Sequence, residues 1–135
     1  MREFLFRGQS IDRRKWYEGD LYQTRLKSVF YINYYTEHGD RMAVEVDPET
    51  VGQYTGLTDK NGTKIFEGDI AKAQDDIFSS PFCNGIIGKV VYEETAFFIE
   101  PQDPMETQWL FNECAVYEVI GNIHDNPELL KGGAE

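Results

Sequence analysis

Four carboxylates recur in one pattern. Lys15-Trp16-Tyr17-Glu18-Gly19-Asp20-Leu21 and Lys64-Ile65-Phe66-Glu67-Gly68-Asp69-Ile70 match position by position as Lys, apolar, aromatic, Glu, Gly, Asp, aliphatic. Brought together, Glu18, Asp20, Glu67 and Asp69 would form an oxygen-rich site for a divalent cation, or an acid and base pair. Carboxylates two apart on a strand share a face, but a glycine between them is expected to break that alternation. The structural alternative is simpler. Gly19 and Gly68 supply a turn or bulge, and Asp20 and Asp69 accept hydrogen bonds from nearby backbone amides. The flanking aromatic and aliphatic residues then point inward. That alternative is the expectation, with no catalytic residue, metal or cofactor.

Other reactive groups are sparse. His38 and His124 are the only histidines, expected in a loop and just before a capped turn, both solvated. Cys83 and Cys114 lie far apart with no second pair and no zinc-like spacing, so they read as reduced thiols. There is no Gly-x-x-x-x-Gly-Lys-Ser/Thr, no Gly-x-Ser-x-Gly and no His-Glu-x-x-His.

Composition narrows the partners. The 135 residues are 41% hydrophobic and 14% aromatic, enough for an ordered, β-rich chain with its own core. The net charge is −11 and uneven: residues 1–27 hold seven of the thirteen basic residues against four acids, and the remainder holds six basic and twenty acidic ones. A body of that sign repels nucleic-acid phosphate and anionic membrane. No apolar run is long enough to span a bilayer, and the charged start at Met1 to Gly8 is a poor signal peptide, so a cytoplasmic location is expected.

The elements that must position these residues are mostly strands. A first hairpin is expected from Phe4 to Tyr17, with Trp16 against a phenylalanine, and a further strand from Asp20 to Leu26. Val29 to Tyr35 and Arg41 to Val46 form a hairpin around Thr36-Glu37-His38-Gly39-Asp40. Asp47-Pro48 opens a single helical turn. The densest turn signals lie in Val51 to Ile70, with Gly52, Tyr54, Gly56, Asn61-Gly62, Phe66 and Gly68, where the backbone must reverse at least twice. Strands follow at 68–74, 85–92, 96–100, 109–111 and 117–123, with a polar loop at 75–84. Asn126-Pro127-Glu128-Leu129-Leu130 reads as a second capped turn. The expected fold is mainly β: a small barrel-like, SH3-like or pseudo-barrel antiparallel domain with one or two short helical turns. It would span 1–130 as one domain, or as half-barrels 1–46 and 47–130, with a tail at 131–135.

Three ordered stretches carry a family resemblance. Trp16-Tyr17-Glu18-Gly19-Asp20-Leu21, the run Thr50 to Ile70, and Tyr117-Glu118-Val119-Ile120-Gly121-Asn122-Ile123-His124-Asp125-Asn126-Pro127-Glu128-Leu129-Leu130 are similar to the YopX family of phage and prophage proteins. The resemblance covers about Phe4 to Leu130. It implies a small, mainly β phage protein and brings with it no catalytic residue or cofactor. The expected role is non-enzymatic, through contacts with a host or phage protein or through self-assembly, and an acidic chain could also compete with DNA for a basic site. Two other readings are a nucleic-acid-binding barrel, suggested by Phe66 to Ile70 followed by Gly88 to Tyr92, and a metal-dependent hydrolase.

Overall fold

The computed structural model describes residues 4–25, 28–75, 86–93, 96–101, 108–109 and 115–132. Among the described residues the chain is mainly β, with two antiparallel sheets and one short α-helix. It divides into two compact units, Met1–Gly56 and Leu57–Glu135.

The first unit is a meander. Strands β1 (Phe6–Gln9), β2 (Trp16–Gln23), β3 (Phe30–Tyr35) and β4 (Arg41–Val46) pair consecutively. Alternation in β3 and β4 explains their faces. Ile32 lies opposite Val44 and Phe30 opposite Val46, and Ile32 and Val46 are fully buried. The β3–β4 hairpin turns at Gly39, with φ +84°, and closes through Thr36 N to Asp40 O at 2.9 Å. The sequence expected a separate strand from Asp20. Instead β2 runs unbroken from Trp16, because nothing turns the chain at Gly19.

Asp47 caps the one-turn 3₁₀ helix Pro48–Thr50 by accepting from Glu49 N at 3.0 Å. The hydroxyl of the buried Thr50 accepts from Gln9 N at 2.8 Å and donates to Asp47 O at 2.7 Å. Strand β5 (Gly52–Thr58) then pairs with β1, Phe6 opposite Gln53. The order of the first sheet is β4-β3-β2-β1-β5-β6, where β6 is Lys64–Phe66 and β5 is the strand in which the chain passes from one unit to the next.

The second unit adds β7 (Asp69–Asp75), β8 (Ile86–Glu93), β9 (Ala96–Pro101), β10 (Gln108–Trp109) and β11 (Ala115–Asn122), in the order β10-β9-β8-β7-β11, followed by helix α1 (Glu128–Gly132). Its core is Ile65, Ala71, Ala73, Val90, Phe97, Ile99 and Tyr117. Each of the larger aliphatic or aromatic side chains there contributes about 1.5–3 kcal/mol by leaving water.

Neither strand order returns on itself, so the described residues hold two open sheets and no closed barrel. The nearest approach to closure is in the first unit. There Ser10 bridges Val46, Ile11 N donates to Glu45 O at 3.2 Å, and Asp47 N donates to Gln9 O at 2.9 Å. The expected mainly β, antiparallel fold is thus present, and where a barrel-like closure was expected the first unit is a meander tied at one end.

Candidate functional site

The two Glu-Gly-Asp copies adopt different backbones. Gly68 has φ +93° and, with the half-buried Glu67, forms the corner between β6 and β7. Asp69 is 2% exposed and accepts from Phe66 N at 2.8 Å across that corner, as expected of an aspartate after a turn. Phe66 is itself buried. Gly19 corrects the other half of the expectation. It sits inside β2, and a Cβ there would collide with the Asn33 carbonyl of β3. Close approach of two strands is what glycine permits at this position. Because the strand is not broken, Glu18 and Asp20 do share a face, and both are exposed. Among the described residues no group of three or more His, Cys, Asp or Glu could hold a metal ion. His38 is exposed in the hairpin loop, whereas His124 is half-buried, its N–H donating to Asn122 Oδ1 at 3.0 Å. Cys83, Cys114, Leu110, Phe111 and the 76–84 part of the polar loop lie outside the described residues.

The remaining motif residues are placed as follows. Gly52 is buried opposite Arg7, and Tyr54 is buried, its N–H donating to Leu5 O at 2.7 Å. Gly56 and Gly62 have φ of +89° and +82° and sit in open space. Gly121 follows a register shift in β11 and packs against Asn126. Asn122 Oδ1 also accepts from Asp125 N, while exposed Pro127 leads into α1. One buried polar centre, at Asp59, was passed over in the sequence reading. Asp59, 7% exposed, accepts from Asn61 N at 2.8 Å and Thr63 N at 2.9 Å through Oδ1, and from Val119 N at 2.9 Å through Oδ2. Burial alone would push its pKa up. The amides of Val119, Thr63 and Asn61, with Lys60 nearby, outweigh that and hold it below the ordinary carboxylate value. Asp59-Lys60-Asn61-Gly62 is a legible Asx-turn signal, but nothing local points to Val119.

The most exposed chemistry is a sheet face. Register puts Trp16, Glu18, Asp20 and Tyr22 of β2 on the side of the meander that carries Tyr31, Asn33 and Tyr35 of β3 and Arg41, Ala43 and Glu45 of β4. Tyr22 lies opposite Tyr31, Asp20 opposite Asn33, and Tyr35 opposite Arg41. Tyr22 is 57% and Tyr35 70% exposed. The Arg7 guanidinium lies 4.8 Å from the centre of the Trp16 ring. On the opposite face Tyr17 meets Tyr34, ring centres 4.8 Å apart.

A family model described as YopX protein matches residues 5–131. The chain belongs to the YopX family. No curated protein matches it. Among solved structures it is similar to protein EF1440 from Enterococcus faecalis, at 25% identity and a TM-score of 0.55, with 96% of this chain and 99% of that chain covered. Within this YopX chain, the three motif stretches correspond to an unbroken strand, a buried corner and the end of β11 with the turn that leads into α1. The exposed Tyr22 and Tyr35 lie outside all three. No helix among the described residues is long and apolar enough to cross a membrane.

Proposed function

We propose that this YopX-family chain is a non-enzymatic phage or prophage accessory protein of the bacterial cytoplasm, acting through protein contacts on the open face of β2, β3 and β4. The observation that carries this reading is the pair Tyr22 and Tyr35, each more than half exposed on one face with Trp16, Tyr31, Asn33 and Arg41. Tyrosine, tryptophan and arginine are enriched at the energetic centres of protein interfaces, where rigid rings bury area at small entropic cost. Glu18, Asp20 and Glu45 on the same face disfavour a phosphate backbone there and favour a partner with matching basic groups.

The test is capture from nuclease-treated host lysate with the tagged wild-type chain and with the Tyr22→Ala, Tyr35→Ala double variant. A specific protein held by the wild type should bind the double variant roughly a thousandfold more weakly, since each hot-spot ring contributes about 2 kcal/mol or more. Identical capture by both chains, or capture that disappears with nuclease, would remove the reading.

A further inference from the structure

The geometry points to β4 as the edge through which a second copy of this chain adds, in antiparallel register, to extend the first sheet. β4 ends the strand order, and among the described residues its outer side is met only at its C-terminal end, where Ser10 bridges Val46. The free backbone groups can be assigned. Thr36 N bonds Asp40 O at the hairpin mouth, so the bonded pairs continue as Tyr34 with Met42 and Ile32 with Val44, following the register. The N–H and C=O groups of Arg41, Ala43 and Glu45 therefore face outward. Ile11 N, donating to Glu45 O at 3.2 Å, confirms that parity and occupies the Glu45 end. What is left open is Arg41 to Val44.

The sequence of that edge is complementary to itself. A two-fold axis at Met42 sets Arg41 of one copy opposite Ala43 of the other, so that these residues exchange four hydrogen bonds. On the open face the small Ala43 leaves room for the Arg41 side chain to cross toward Glu45 of the second copy, a diagonal neighbour about 7–8 Å away and within reach of a long side chain. Symmetry makes that ion pair twice. On the other face Met42, 45% exposed, meets its own copy. The strand has no proline, no lysine and no register shift to block such pairing, and its two charged side chains, Arg41 and Glu45, are of opposite sign. β11 contrasts with it. There Lys60 N donates to Tyr117 O and Val119 N to the Asp59 carboxylate, so a loop already covers the strand.

This inference concerns backbone pairing along the sheet edge and is read on the purified chain with no lysate partner, so its test succeeds or fails independently of lysate capture. Sedimentation equilibrium of the full chain over a dilution series should show a dimer that dissociates on dilution and weakens with salt. Ala43→Lys, which sets a cation opposite Arg41 of the second copy, should sediment as a monomer at every concentration with unchanged circular dichroism. Arg41→Glu should weaken association at least tenfold, and adding Glu45→Arg to it should restore the dimer. A wild type that is monomeric at its highest soluble concentration, a dimer indifferent to Ala43→Lys, or no recovery in the charge swap would overturn the inference.

Discussion

Asp59 shows how one side chain can hold a turn and a distant strand at once. Its carboxylate replaces water for three backbone donors, two within the 59–63 loop and one on β11. Hydrogen bonds to a charged acceptor are stronger than neutral ones, and buried donors left without an acceptor are costly. Asp59→Ala should therefore destabilise the chain by about 2–4 kcal/mol in urea unfolding. Asp59→Asn should cost less, since its carbonyl oxygen keeps an acceptor for the loop amides while its NH2 faces Val119 N. The pH dependence has a definite sign. The folded-state pKa lies below the unfolded one, so the stabilisation is complete above the ordinary carboxylate range and is lost as pH falls through the lowered value. The gap between wild type and Asp59→Asn should thus be flat near neutral pH and narrow in acid. A gap constant down to the acid limit would mean that the charge contributes nothing.

Elements whose signals are local were legible from sequence, and those fixed by distant neighbours were not. The β3–β4 hairpin was readable because alternation and Gly39 lie within seventeen consecutive residues of strand and loop, 30–46. Asp47 and Pro48 likewise announced their single turn. The two Glu-Gly-Asp copies were not separable, because identical letters take their conformation from what crosses them. Gly68 turns the chain at a corner, whereas Gly19 is held extended by β3 passing close over it. The exposed tyrosines were legible as strand formers but not as a surface, since only the register decides which side they share. The contrast between glycine roles is testable. Gly39→Ala meets open space and bears only the strain of a positive φ, about 1–2 kcal/mol. Gly19→Ala must move the β3 backbone and should lower the melting temperature by clearly more. Equal losses would show that β2 and β3 can part at little cost.

At the scale of the whole chain, charge is divided as the fold is. The first 56 residues carry eight basic and nine acidic side chains, and residues 57–135 carry five and fifteen. The visible ion pairs of the second unit, Lys60–Glu118 at 3.7 Å and Lys89–Glu100 at 3.8 Å, are partly exposed and weak. They offset little of an excess of ten acids. Like charges about 10 Å apart in water repel by about 0.4 kcal/mol, so several such pairs oppose folding by on the order of 1 kcal/mol. Raising ionic strength from about 0.01 to 0.15 M shortens the screening length from about 30 to 8 Å and should relieve this. The urea midpoint should therefore rise with salt, although salt also weakens the two ion pairs. A midpoint that falls would mean that local pairs, and not the net charge, govern stability. The same imbalance bears on function, because an acidic unit draws in basic partners and repels phosphate. Association through the open face of the near-neutral first unit should then keep most of its affinity at a salt concentration that abolishes any non-specific attraction to the second. An affinity that collapses in parallel with that attraction would place the contact on the acidic unit instead.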